Sequence, residues 1–255
     1  MKLAITGKGG VGKTTISALM SAALKRDGHG VVAIDADPDS NLLGCLGHPD
    51  SSSVRPLVEL KELIEERTGA KPGTTGGMFR LNPFVDDIPD EYAVEVAGVK
   101  VLVVGAVKKG GAGCYCPENS FLRALVSHLL TGKNDDLVLD MEAGIEHLSR
   151  GTVRCVDHLL VVVDPGRRSV ETALRIKKLA SELGLARVGV VANKVRSEGD
   201  TVFLREALGD LEICGTIPYD DAVRDADIQG ESVVNADARV KESIDEIMRY
   251  LENQQ

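Results

Sequence analysis

Short aliphatic runs bounded by turn residues recur along the chain, at residues 2–6, 31–35, 101–104, 136–140, 158–163, 187–193 and 212–217. Most are apolar at consecutive positions, the pattern of strands buried on both faces of a parallel sheet. Between them the period changes. Ile16, Leu19, Met20 and Ala23 follow the i, i+3, i+4, i+7 spacing of an amphipathic helix. The same spacing returns in Val170, Ala173 and Leu174, one turn later in Ile176, Leu179, Ala180 and Leu183, and again in Val240, Ile244, Ile247, Met248 and Leu251. Strands that alternate with helices are joined by right-handed crossovers, so the pattern predicts an α/β fold with a doubly wound, mostly parallel sheet flanked by helices. Residues 48–100 break the rhythm: Pro49, Ser51 to Ser53, Pro72, Gly73, Gly76, Gly77, Pro83 and Pro89 punctuate one predicted helix over Leu57–Arg67. This stretch reads as an elaborated insertion within a single domain spanning 1–255, not as a linker.

Composition narrows the class. The chain has 255 residues, 43% of them hydrophobic and 27% charged, which suits a packed globular protein. Aromatics make up only 3%, with no Trp, so the core is aliphatic and stacking platforms for single-stranded nucleic acid are scarce. Thirty basic against 39 acidic residues give a net charge of −9, the wrong sign for tracking a phosphate backbone or an anionic membrane. The run Leu159 to Val163 falls far short of the roughly 18 apolar residues that cross a bilayer. Residues 231–255 carry six acids against three bases, which leaves the terminal helix without a basic membrane-binding face. The apolar run after Lys2 is too short for a secretory leader, and five cysteines are an odd number. The expectation is a cytoplasmic protein without structural disulfides, with neither nucleic acid nor membrane as partner.

The segment Gly7-Lys8-Gly9-Gly10-Val11-Gly12-Lys13-Thr14-Thr15 matches G-x-x-x-x-G-K-[ST], follows a predicted strand and opens a predicted helix. Glycines let the backbone wrap phosphate oxygens with inward N–H groups, and the helix N-terminus adds a favourable dipole. Gly9, Gly10, Val11, Gly12 and Thr15 would form this cradle. Lys13 would neutralise β- and γ-phosphate charge, and the Thr14 hydroxyl would ligate Mg²⁺. The strand ending in Asn193-Lys194-Val195-Arg196 is close to the guanine box N-K-x-D but has Arg where an acid would read the guanine amino group, so adenine is favoured and ATP is the expected nucleotide.

The loop with its additional Lys8 resembles the deviant phosphate loop of the MinD, ParA and nitrogenase iron protein superfamily. That resemblance implies a homodimer assembled around ATP, with Lys8 reaching the partner's phosphates. It also implies roles for two acidic segments. In Asp35-Ala36-Asp37-Pro38, similar to the family's switch I, Asp37 would position the attacking water. In Asp140-Met141-Glu142-Ala143-Gly144, similar to Walker B plus switch II, Asp140 would hold a Mg²⁺-bound water and the Gly144 N–H would sense the γ-phosphate. Pro218, Tyr219 and Asp220 would frame the base with Asn193 and Lys194.

Cys114-Tyr115-Cys116 precedes Pro117 and a predicted helix, which places Cys116 at a helix N-terminus where the dipole favours a thiolate. Two sulfurs at i and i+2 can face one ion, whereas a closed tetrahedral thiolate site needs four, and a two-fold axis would supply the second pair. Cys45, Cys155 and Cys214 lack ligand spacing and read as small buried hydrophobes; the five histidines are scattered and read as surface or packing residues. With its C-x-C and its switch II, the chain resembles the CooC-type accessory ATPases of nickel carbon monoxide dehydrogenase maturation. The resemblance implies ATP-dependent Ni²⁺ delivery to the apo-dehydrogenase, or to the related acetyl-CoA synthase system, with Zn²⁺ also able to occupy the thiolates. Two alternatives stay open: an electron-transfer ATPase with a bridging [4Fe–4S] cluster, and a nucleotide-dependent positioning switch without metal.

Overall fold

A computed structural model of the chain describes residues 1–73, 78–106, 116–132, 136–145, 148 and 151–254. In chain order the elements are β1 (Lys2–Gly7), α1 (Lys13–Arg26), β2 (Val31–Ala36), α2 (Leu42–Leu46), α3 (Lys61–Thr68), α4 (Ile88–Tyr92), β3 (Val94–Val96), β4 (Val99–Val103), α5 (Cys116–Thr131), β5 (Asp136–Met141), β6 (His158–Val163), α6 (Arg167–Leu183), β7 (Val188–Val195), α7 (Glu198–Leu208), β8 (Glu212–Pro218), α8 (Asp221–Gln229) and α9 (Ala238–Glu252). The strands form one sheet in the order β3-β4-β2-β5-β1-β6-β7-β8, parallel throughout except for the β3–β4 pair. The predicted α/β, doubly wound sheet is therefore the fold. The chain leaves β1 towards β2 on one side and later adds β6 on the other, and a crevice opens at such a reversal beyond the carboxyl ends of the strands.

Strand alternation divides the core into two aliphatic layers. Leu3 and Ile5 of β1 face α1, α2 and α9 on one side; Ala4, with Ile34 and Leu139, faces α5, α6 and α7 on the other. Phe121 is the one aromatic among the largest fully buried side chains. The terminal helix lies on β8 because Gly215 has no side chain: a Cβ there would come within 2.3 Å of Ile247 Cγ1. Its start is held by Asp237, whose carboxylate accepts the Arg239 N–H at 2.8 Å. Ser197 and Asp200 cap α7 reciprocally.

Three expectations are corrected by packing. The single helix over Leu57–Arg67 is two pieces, a 3₁₀ turn at Leu57–Glu59 and α3, divided at Leu60 with φ −82° and ψ 78°. In α6 the buried stripe is Ser169, Val170, Ala173, Ile176 and Ala180, while Leu174 and Leu179 are exposed, because the helix touches the sheet along a narrower face than its apolar residues would cover. Cys45, Cys155 and Cys214 are half-buried rather than enclosed, and all three are free thiols. Among the described residues, no helix is long and apolar enough to cross a membrane.

Candidate nucleotide site

The phosphate loop hangs between β1 and α1. Its sharp reversal places Gly10 at φ 81° and Gly12 at φ 95°, the left-handed region that side chains resist. Gly12 has a second constraint, since a Cβ there would meet Asn193 Nδ2 at 2.5 Å. That contact is explained by β7, whose end braces the loop from behind. Asn193 Nδ2 donates to the Val11 carbonyl at 2.8 Å, and Lys194 Nζ donates to the Gly10 carbonyl at 2.7 Å. Lys194 itself adopts φ 60°, a strained backbone held where the chain leaves the sheet. Sequence reading assigned both residues to the base, whereas their visible contacts are to the loop.

Below the loop, acidic groups converge. Lys13 is only 7% exposed and its Nζ lies 3.6 Å from Asp37 Oδ2. Asp35 and Asp140 are fully buried and stand side by side in register on β2 and β5. Burial pushes the Asp35 carboxyl up to about 7, with the charge of Asp140 adding to the rise and the N–H donors of Leu42 and Asp37 opposing it. Burial likewise pushes Asp140 up to about 6, against the hydroxyls of Thr14 and Ser17 and the Lys13 ammonium, while Asp37 adds to the rise. Ser17 Oγ donates to Asp140 Oδ1 at 3.0 Å, and Asp140 Oδ2 is a buried oxygen with no hydrogen-bond partner. A buried carboxylate oxygen without a partner, between a threonine hydroxyl and a second carboxylate, is a donor set that suits Mg²⁺. Thr14 and Asp140 are thus where the expected ion fits.

The flanking loops are tied to the same strands. Asp37 Oδ1 accepts the Asp39 N–H at 3.1 Å, which orders the turn that carries it. The Gly144 N–H is directed at Thr6 Oγ1 at 3.2 Å, and the Thr6 hydroxyl lies within 2.8 and 2.9 Å of the Glu142 and Gly144 carbonyls. Sensing a γ-phosphate with this N–H would require it to leave Thr6. Lys8 is half-exposed at the head of the loop and does not line the cleft.

The cleft measures about 830 Å³ and runs from Gly9, Gly10, Gly12, Lys13, Thr14 and Thr15 to Asn193, Lys194, Pro218, Tyr219 and Asp220. At its far end the Arg196 guanidinium stacks on the Tyr219 ring at 3.5 Å, and Asp220 caps α8 through the Ala222 N–H at 2.7 Å. Burial and nearby carboxylates push the Cys45 thiol in the cleft wall up to about 12. Cys116 opens α5, as expected, with Pro117 second; the Cys116 side chain and all of Cys114 lie outside the described residues, as do Glu146 and His147. Among the described residues, no group of three or more His, Cys, Asp or Glu side chains is placed to hold a metal ion.

Thr6, Ser17 and Asp35 were given no role by sequence, and Arg196 was read only for its bearing on the base. Ser17 left a signal, a polar residue one turn after Lys13 that, with Ser21, interrupts the apolar buried face of α1.

A glycine cradle opening a helix, a buried lysine and, on the neighbouring strand, an aspartate with one buried oxygen unbonded define a P-loop nucleotide-binding protein. The sequence profile of the CobQ/CobB/MinD/ParA nucleotide binding domain matches residues 2–233. The chain is 43% identical over 253 residues to the carbon monoxide dehydrogenase accessory protein CooC of Rhodospirillum rubrum, covering 98% of this chain and 96% of that protein. It is 41% identical to an uncharacterised ATP-binding protein of Methanocaldococcus jannaschii, covering 98% and 97%. Its fold is similar to that of MinD in the MinC:MinD cell division complex of Aquifex aeolicus, with a TM-score of 0.69 at 23% identity, covering 100% and 96%. The chain belongs to the CobQ/CobB/MinD/ParA nucleotide-binding family, in its CooC-like branch.

Proposed function

We propose that this protein is an ATP-hydrolysing nickel metallochaperone, acting as a homodimer that holds its cargo through Cys114 and Cys116 and assists metal insertion into carbon monoxide dehydrogenase. The observation that carries the reading is the coexistence, in a chain similar to CooC over nearly its whole length, of Lys8 with a C-x-C pair at the head of α5. Since α5 joins the parallel strands β4 and β5, its N-terminus lies at the end of the sheet that bears the nucleotide cleft. Residues 1–255 act as one ATPase domain on this reading, with 48–100 as an elaboration of it.

The residues divide the work by charge. The loop N–H groups and Lys13 hold the phosphates, and Lys8 of each subunit completes the charge across the two-fold axis. Thr14, with Asp140 through a bound water, would hold Mg²⁺, which when bound would offset negative charge on the β- and γ-phosphate oxygens. Asp37, now resting near Lys13, turns its carboxylate to a water in line with the γ-phosphorus. Hydrolysis removes the charge that drew the subunits together, and the dimer loosens so that nickel passes to the client.

Nickel stoichiometry tests the cargo: one ion per dimer is expected, and one ion still tightly held after both cysteines become alanine would end the proposal. Brown colour from a reducible cluster after anaerobic purification would favour electron transfer instead. Sedimentation tests assembly. A protein that stays monomeric with nickel and a non-hydrolysable ATP analogue together contradicts the dimer.

A further inference from the structure

At the far end of the cleft, two residues expected to read the base are occupied elsewhere, since Asn193 Nδ2 and Lys194 Nζ donate to loop carbonyls. What the cleft offers there instead is an aromatic ring. Tyr219 lines the cleft, whereas Arg196 does not; it lies over that ring with its guanidinium carbon 3.5 Å from the centroid. The stack is built into the sheet. Ala192 pairs with Thr216 and Val195 with Pro218, so two residues of β7, Asn193 and Lys194, stand opposite one of β8, Ile217. Such a bulge re-aims the side chains that follow it, and the φ of 60° at Lys194 marks the turn it makes. Beyond it the Tyr219 N–H donates to the Val195 carbonyl at 2.9 Å, which brings Arg196 and Tyr219 off neighbouring strands side by side. Each is then pinned by a different helix. The Arg196 N–H donates to Asp200 Oδ2 at 2.8 Å in the cap of α7, and the Tyr219 hydroxyl donates to Asp221 Oδ1 at 3.3 Å in the first turn of α8. An exposed arginine thus backs a half-buried ring that is already held at its backbone and at its hydroxyl.

We propose that Arg196 is a positioning residue for the nucleobase: stacked on one face of Tyr219, it holds that ring as a platform on whose other face the adenine of ATP lies. The proposal rests on the reading of the cleft as an ATP site and adds the residue that sets its base end. Two effects favour the arrangement. A cation on one face draws π density towards itself and eases the approach of a second π system to the other. A ring fixed before the ligand arrives has little rotamer freedom left to lose on binding.

Calorimetry on the full-length protein with ATP and with tripolyphosphate, which carries the charge without the base, separates the platform from the phosphate loop. The wild-type protein is expected to bind ATP at least about tenfold more tightly than tripolyphosphate, within the range that stacking on an aromatic side chain spans. Arg196→Ala should weaken ATP about threefold to fivefold, as an exposed cation–π contact does. Tripolyphosphate should stay within about 1.5-fold, because a distant exposed charge is screened. Tyr219→Ala should weaken ATP by about tenfold, and Tyr219→Leu, which keeps the bulk without the π face, serves if that variant does not fold. In either Tyr219 background Arg196→Ala should cost less than about 1.5-fold more, since it acts through the ring. Equal weakening of ATP and tripolyphosphate by Arg196→Ala would make the arginine a general charge or a support of the fold and overturn the proposal. So would losses that add in the double variant, or a folded Arg196→Ala protein that binds ATP as the wild type does. A wild-type protein that binds tripolyphosphate as tightly as ATP overturns the proposal and leaves the phosphate site standing; one that binds neither overturns the nucleotide reading with it.

Discussion

Two hollows of nearly equal size lie at opposite ends of the sheet, about 830 Å³ at the carboxyl ends of the strands and about 800 Å³ at their amino ends. They differ in how charge is matched. At the amino end Asp136 meets both the Met1 ammonium and, at 2.5 Å, His29 Nδ1; Asp157 accepts the Lys2 N–H at 2.7 Å; and the Lys2 ammonium donates to the Leu130 and Gly132 carbonyls. At the carboxyl end two buried carboxylates stand side by side, both raised well above the usual range, and one oxygen has no partner. Volume therefore does not distinguish a site from a crevice. Two raised carboxyls facing a buried lysine and a phosphate loop do, because burying them side by side costs stability that a bound cation recovers.

The contrast can be broken by substitution. The largest effect is expected for Lys13→Ala, which removes the buried cation and should weaken ATP binding by about 100-fold or more in calorimetry, as truncation of a buried charge partner typically does. An affinity within a few fold of wild type would place the phosphates elsewhere. Asp37→Ala should slow turnover by about two orders of magnitude with ATP affinity largely kept, since positioning supplies several kcal/mol of a barrier. Asp140→Asn should have opposite effects on two measurements: Mg²⁺-dependent hydrolysis falls, while the nucleotide-free protein melts higher by a few degrees, given about 2–4 °C per kcal/mol for a chain this long. At the far end the sign reverses. Asp136→Asn should lower the melting temperature by a few degrees, the cost of about 1–3 kcal/mol for taking a buried carboxylate away from the Met1 ammonium and His29, and leave ATP affinity unchanged.

The smallest effect is a slope. Asp35 holds its proton up to about 7 in the folded chain against an ordinary 3.8, so the folded state binds that proton more tightly than the unfolded one. Its contribution to stability is complete below about 4 and is lost as the pH rises through about 7. Melting temperatures of nucleotide-free protein should therefore fall across that window, and less steeply in Asp140→Asn, which removes the raised Asp140 carboxyl and the smaller, charge-borne part of the Asp35 rise. A wild-type profile that stays flat across the window would contradict the raised Asp35 carboxyl.

Much of this was readable in advance where local chemistry is self-sufficient. The strand–glycine loop–helix unit needs only residues 2–26 to declare itself, and the buried strands announce themselves by aliphatic runs. What stayed hidden depends on partners distant in sequence. β3 is three residues long and exists because the positive φ of Ala97 and Gly98 folds it back on β4. Asn193 brackets the phosphate loop from 182 positions away, and Asp35 looked like the first acid of a motif until its contacts with Leu42 and Gly105 appeared. Leu174 and Leu179 misled because periodicity reports which face is apolar, not how much of it a neighbour covers.

The bracing of the phosphate loop by β7 has a kinetic meaning. With its carbonyls at Gly10 and Val11 already bonded, the cradle is ordered when the chain folds, so arriving nucleotide encounters a finished receptacle and capture should approach the pace of diffusion. Under the proposed ATPase function, the clock of the cycle resides in the acidic turns beside the loop, whose rearrangement would set how long each ATP is kept.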